Sequence, residues 1–238
     1  MDNAGYTVLN RQIGLRQELQ MVANNIANMS TSGFRKEGLI FSEYVHAMEG
    51  RDPSLSMARA TARTTDLGQG VLSQTGGQFD LAIEGGGFFL IETPQGNQLT
   101  RAGSYTPNAA GELVNPDGYR LLDNGQAPVF VPPDAQSIAV ASDGTFSADG
   151  RALGQIGLFE PVDPNELLRQ NGVMFQAESG VQPGENGHIL QGFIEGSNVN
   201  AVVEITRLIE VQRAYETSQK LLDQEHERIR SVMQALGR

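Results

Sequence analysis

The sequence predicts an α+β protein, with long N- and C-terminal helices pairing into a coiled-coil-like domain around a central antiparallel β-rich domain. Three observations carry this. Apolar residues recur at helical spacing near the N-terminus and every seven residues near the C-terminus. Twenty of the 28 glycines lie within residues 76–200, among closely spaced turn sequences. No proline interrupts residues 199–236. The expected segments are 1–39 for the first helix and its turn, 40–75 for an extended connector or β-hairpin arm, 76–197 for the β-rich domain and 198–238 for the last helix.

In the first segment Val8, Leu15, Leu19, Val22 and Ile26 fall on a/d-type spacing, with Gln12 in the missing place; Leu9, Ile13 and Ala23 widen the face. Asp2 or Asn3 is placed to cap the start. A helix over residues 3–28 would run about 39 Å. Asn24, Asn25 and Asn28 are suited to hydrogen-bond backbone groups where that helix frays, and Ser30 to Gly33 reads as its stop, with Gly33 in a left-handed conformation.

The middle reads as strands separated by turns. Phe79 to Ile83 alternates, and Gly85-Gly86-Gly87 leads into the apolar run Phe88 to Ile91. Turns are expected at Pro94 to Asn97, Pro116-Asp117-Gly118, Asn124-Gly125, Asp143-Gly144 and Asp149-Gly150. Between them lie strand candidates at 118–122, 128–131, 137–141 and 154–159, a spacing that suggests a meander or open barrel.

In the last segment Ala201, Leu208, Tyr215, Leu222, Ile229 and Leu236 form a heptad column. Ile205, Gln212, Gln219, His226 and Met233 are read as its companion column, with three polar members in the middle. Asn198 or Asn200 caps the start, and Glu204 lies early, where the helix dipole favours an acid. From Val199 to Leu236 the helix would be about 57 Å long. A helix of that length with a sustained heptad needs a partner, because helix stability comes mainly from packing. The shorter N-terminal stripe leaves part of this seam for other chains.

Charge separates the same regions. The net charge is −11; residues 1–75 and 201–238 are each neutral, so the whole excess lies in 76–200. An acidic body of this kind is unsuited to a phosphate backbone, and no nucleic-acid partner is expected. There is no cysteine, which excludes disulfides and thiolate metal sites. Met1 to Ile13 has no apolar signal-peptide region, and no stretch approaches the ~20 apolar residues of a membrane span.

No chemistry-bearing motif emerges. The glycine triplet precedes a strand, whereas a phosphate loop opens a helix. Asp143 to Gly150 lacks the alternating oxygen ligands and closing Glu of a calcium loop. His46, His188 and His226 have no ligand spacing. No catalytic, cofactor or metal residues are assigned, and no enzyme activity is expected.

The run Ala23-Asn24-Asn25-Ile26-Ala27-Asn28-Met29-Ser30-Thr31-Ser32-Gly33-Phe34-Arg35 resembles the N-terminal signature of flagellar axial proteins, the rod, hook and hook-associated subunits. Glu195-Gly196-Ser197-Asn198-Val199-Asn200, continuing through Glu204 to Leu208 and Glu210 to Glu216, resembles the terminal helix of that family. Phe79 to Phe89, with Leu99-Thr100-Arg101-Ala102-Gly103, resembles the segment entering its first β domain. The length is most similar to proximal-rod members, with distal-rod members the nearest alternative.

The resemblance implies a helical domain lining an axis, an outer β domain, and a structural role in a rod that transmits torque for motility. It also implies export through the flagellar type III apparatus without cleavage, a periplasmic place in the basal body, and partners that are other axial proteins and further copies. Asn24, Asn25, Ala27, Asn28, Thr31, Gly33 and Phe34 match the family motif. The two helical columns, from Val8 to Ile26 and from Ala201 to Ile229, then become the expected assembly interface. A different class, a secreted adhesive or carbohydrate-binding β module, would use Phe88, Phe89 and Tyr105 as a binding surface.

Overall fold

In the computed structural model the described residues are 3–46, 55–184 and 186–236, with side chains left aside at 3–6, 43–46 and 55–61. The expected cap at Asp2 or Asn3 and the side chain of His46 therefore lie outside the described part. The chain divides into two compact units: Met1–Ala27 with Glu37–Asp66 and Asn200–Arg238, and Asn28–Lys36 with Leu67–Val199.

In the first unit, α1 (Asn3–Ala27) packs against α2 (Ala201–Leu236), so the two terminal helices are in contact. α2 starts where expected: the Asn200 side chain accepts from the N–H groups of Val202 and Val203 at 3.1 and 3.2 Å, satisfying two donors that a helix start leaves open. Its 36 residues correspond to about 54 Å against about 37 Å for the 25 of α1. Strands β1 (Glu37–His46) and β2 (Leu55–Thr65) form an antiparallel hairpin with a bulge between Ile40 and Phe41. The hairpin packs on α1. Gly14 faces it, and a Cβ there would come within 3.2 Å of the Phe41 ring, so the small residue sets how closely the hairpin approaches.

The second unit holds the remaining strands. They are β3 (Leu72–Gln74), β4 (Leu81–Gly85), β5 (Phe89–Thr93), β6 (Gly96–Thr100), β7 (Thr106–Pro107), β8 (Leu113–Val114) and β9 (Arg120–Leu121). There follow β10 (Ile138–Val140), β11 (Thr145–Ala148), β12 (Arg151–Gln155), β13 (Phe159–Pro161) and β14 (Leu167–Arg169). The last are β15 (Met174–Ala177), β16 (Val181–Pro183), β17 (Gly187–Gln191) and β18 (Phe193–Glu195).

The largest sheet runs β14-β15-β6-β5-β9-β8-β7, with β10-β11-β12 as a second sheet and three strand pairs, β13-β16, β17-β4 and β18-β3. Pairing is antiparallel throughout, as expected. The order is not that of a simple meander, because β14 and β15, late in the chain, join the edge of β6. Residues 128–131, read as a strand, make only single bridges, Leu122 with Pro128 and Glu112 with Phe130.

The run Phe88 to Ile91 shows why an unbroken apolar stretch is a strand here. Phe89 and Ile91 enter one hydrophobic cluster, with Leu81, Leu121 and Phe146; Phe88 and Leu90 enter a second, with Leu99, Leu122 and Phe175. Side chains alternate across a strand, so a segment buried on both faces carries no polar positions. Phe89, Leu90 and Ile91 are fully buried.

Candidate functional site

In the first unit the helical columns divide by exposure. Val22 is buried; Val8, Leu15, Leu19 and Ile26 on α1, and Ala201, Leu208, Tyr215 and Leu222 on α2, are half-buried. Ile205, Gln212, Gln219, His226 and Ile229 are exposed. The companion column that is buried within the chain lies one residue earlier, at Glu204, Val211 and Ser218. The same displacement occurs on α1, where Glu18 and Asn25 are buried and Leu19 and Ile26 only partly so. The apolar pattern missed these positions because most of them are polar; each polar one is buried with a hydrogen-bond partner in place.

The Asn25 amide donates to Glu204 Oε2 at 3.1 Å and to the Glu37 carbonyl at 2.9 Å, and its oxygen accepts from the Glu37 N–H at 3.0 Å. One side chain thus ties α1 to α2 and to the start of β1. Arg207 Nε donates to Glu18 Oε1 at 2.7 Å, and this bond is the main cause holding the Arg207 pKa above its ordinary value. Glu18, earlier on α1, meets Arg207, later on α2 than Glu204, so the helices run antiparallel. Polar pairs at such positions fix register at some cost in stability. Ser218 satisfies its hydroxyl on the Ala214 carbonyl at 2.9 Å.

Much apolar surface stays open on these helices. Leu9 and Ile13 on α1 are half exposed, as are Ile205, Ile209 and Leu221 on α2. Toward the end of α2 exposure rises, to 69% at Met233 and 82% at Leu236.

The family-motif residues lie at the end of α1 and beyond it. Asn24 and Ala27 are exposed, Asn25 is the tie just described, and the turn is built from Asn28, Thr31 and Gly33. The Thr31 N–H donates to the Asn28 carbonyl at 3.1 Å and its hydroxyl to Asn28 Oδ1 at 3.1 Å. Gly33 adopts φ +70°, the left-handed conformation expected of it, and a Cβ there would lie 2.3 Å from the Ala102 nitrogen, so the position has no room for a side chain.

Phe34 is buried in the second unit, with the Arg169 guanidinium 4.5 Å from its ring centroid and 4.6 Å from that of Phe175. Next to it Arg35 Nη1 pairs with Glu195 Oε1 at 2.7 Å, and Arg101 Nη1 pairs with Glu195 Oε2 at 3.1 Å. Burial pushes the Arg101 pKa down to about 10, opposed by the Glu195 charge. These three residues belong to the three stretches that carry the family resemblance, and the sequence reading did not bring them together. A signal was available for two of them, since Arg101 and Glu195 are lone charges within apolar or small-residue runs, whereas Arg35 is followed by Lys36 and Glu37.

Phe88, Phe89 and Tyr105, offered by the adhesive-module reading as a binding surface, are core residues at 4%, 0% and 2% exposure. The Phe89 and Tyr105 rings meet edge-to-face at 5.8 Å, so they stabilise the fold and are closed to a ligand. Among the described residues no three His, Asp or Glu side chains gather in a way that could hold a metal ion, and no helix is long and apolar enough to cross a membrane.

Three family models match the chain. Residues 6–35 match "Flagella basal body rod protein", residues 82–148 "Flagellar hook protein FlgE/F/G D1 domain", and residues 190–235 "Flagellar basal body rod FlgEFG protein C-terminal". The chain is 38% identical to the flagellar basal-body rod protein FlgF of Caulobacter vibrioides, over 100% of this chain and 99% of that one. It is 35% identical to FlgF of Mesorhizobium japonicum over the same shares. Against the rod protein FlgG of Bacillus subtilis it is 31% identical over 91% of this chain and 92% of the other. Paired helical ends, a β-rich centre and this end-to-end similarity together mean that the chain belongs to the flagellar basal-body rod protein family, as a FlgF-like structural subunit.

Proposed function

We propose that the chain is a proximal-rod subunit whose terminal helices pack in coiled-coil fashion into an axial domain that neighbouring subunits complete. The observation supporting this is the apolar band left open on α1 and α2, from Leu9 and Ile13 to Met233 and Leu236. Such a band is costly in an isolated protein and is removed from water when helices of other subunits lie against it. The half-buried columns and the exposed residues Ile205, Gln212, Gln219, His226 and Ile229 are its contact residues, the polar ones setting register between chains. The subunit so assembled transmits torque along the rod. Its partners are other rod proteins and further copies, its place is the periplasmic rod, and it travels there through the flagellar type III apparatus.

Distal-rod membership is the second reading, favoured by FlgG relatives that cover 91% of the chain. Deletion of residues 1–28 tests the common part of both. The truncated protein should be absent from purified basal bodies while residues 76–190 keep their protease resistance. Recovery of the truncated protein in basal bodies at the wild-type level would contradict the proposal.

A further inference from the structure

We propose that Arg35, Arg101 and Glu195 form a buried latch that makes docking of residues 32–36 conditional on docking of residues 193–198, so that two segments far apart in sequence order together. The proposal concerns the free chain and stands apart from any role in assembly.

The stoichiometry of charge is the first reason. Arg35 and Glu195 are both 0% exposed and Arg101 is 3% exposed, and one carboxylate serves two guanidinium groups. Glu195 Oε1 also accepts the Gly70 N–H at 2.7 Å. Backbone carbonyls supply the rest: Gly68 for Arg35 at 2.6 Å, and Gly85 for Arg101 at 2.8 Å. Among the described residues, Nε and Nη2 of Arg35 and Nε of Arg101 find no hydrogen-bond partner. Among the described residues, Glu195 therefore supplies the only opposite charge in direct contact with either cation, and removing it leaves two desolvated positive groups side by side.

The second reason is that the cations are held unequally. Arg101 follows β6 and stacks over the Phe88 ring at 5.2 Å, inside the hydrophobic core. Arg35 lies on a short segment whose other bonds go largely to the outgoing chain. The Gly33 N–H and the Ser32 hydroxyl both donate to the Glu195 carbonyl at 2.8 Å. The Lys36 N–H donates to Asn198 Oδ1 at 2.6 Å, and the Asn198 N–H to the Phe34 carbonyl at 3.2 Å. When Glu195 is unseated, these bonds and the Arg35 ion pair go together. The Arg169 cation on Phe34, with its bond to the Arg35 carbonyl, is then too little to hold the segment alone.

Hydrogen exchange of the full-length protein, resolved by peptide mass spectrometry, tests the latch with two single variants. Glu195→Gln removes the charge at constant shape. Gly70→Ala keeps all three charges but places a Cβ 2.1 Å from the Gly196 carbonyl oxygen, displacing the outgoing segment sterically. Both variants should speed exchange at 32–36 and 193–198 at least tenfold, while 88–91 and 121–122 keep wild-type rates. The charge-free triple variant Arg35→Met, Arg101→Met, Glu195→Leu should return both segments to within about threefold of wild type, since apolar groups can replace a buried ionic cluster. Acceleration at 193–198 with 32–36 unchanged overturns the coupling. Loss of protection in 88–91 as well would make the cluster ordinary core, and a triple variant as open as Glu195→Gln would assign the effect to shape; either result overturns the latch.

Discussion

The two compact units solve the burial problem in opposite ways. The β unit closes its core: two hydrophobic clusters share the strand β5, and Phe89, Leu90, Ile91, Leu99, Leu121 and Phe175 are completely removed from water. Among the described residues of the helical unit the buried side chains are few, and Glu18, Asn25, Glu204 and Ser218 stand among them beside Val22 and Val211. The helices hold one another by register-setting polar ties and leave apolar side chains outside. Hydrophobic burial is the dominant favourable term in folding. On the proposed reading, neighbouring subunits claim the apolar surface that this unit leaves open. Completeness in one region and incompleteness in the other is what the proposed assembly through the helices calls for.

The contrast is sharpest in how the units should answer to substitution. Phe89→Ala empties a site at the centre of the β unit and should cost about 3–5 kcal/mol, visible as a large drop in the thermal midpoint of the free protein. Leu221→Asp, at a position 53% exposed, should change the stability of the free protein by less than about 0.5 kcal/mol yet reduce recovery in purified basal bodies more than tenfold. If Leu221→Asp instead unfolds the free chain, the helical unit is closed after all and the contrast breaks. Asn200→Ala should have the smallest effect: loss of the N-cap costs about 1 kcal/mol of helix stability, measured as a modest fall in helical circular dichroism and faster exchange at 201–204.

What could be read from the sequence follows the same division. Turns of the β unit were legible because glycine and its neighbours have few conformational alternatives: Gly96, Gly118, Gly144 and Gly150 all take positive φ at expected turns. At Asn124-Gly125 the left-handed residue is Gln126, one position on, because the turn is closed by the Gln126 N–H donating to the Asp123 carbonyl and the Ala127 N–H donating to Asp123 Oδ1. The heptad column from Ala201 to Leu222 was legible because hydropathy marks it. Its buried companions at Glu204 and Ser218, and Glu18 and Asn25 opposite, were not, since a buried polar group gives no hydropathy signal and is recognised only once its partner is known. The same holds for Arg35, Arg101 and Glu195. Each could be seen in its own family stretch, but their meeting depends on β6, β18 and the turn after α1 being brought together by the fold. Strand order was hidden for a related reason: nothing local in β14 and β15 says that they pair with β6.

The chain contains no cysteine, so a single introduced one reports on one position without interference. Ile229→Cys lies on the open stretch of α2, and maleimide labelling can be compared between the purified protein and intact basal bodies. Rapid labelling in the free protein and strong protection in the basal body is the predicted result. Equal labelling in both states would mean that the apolar band of the helices is not where subunits meet.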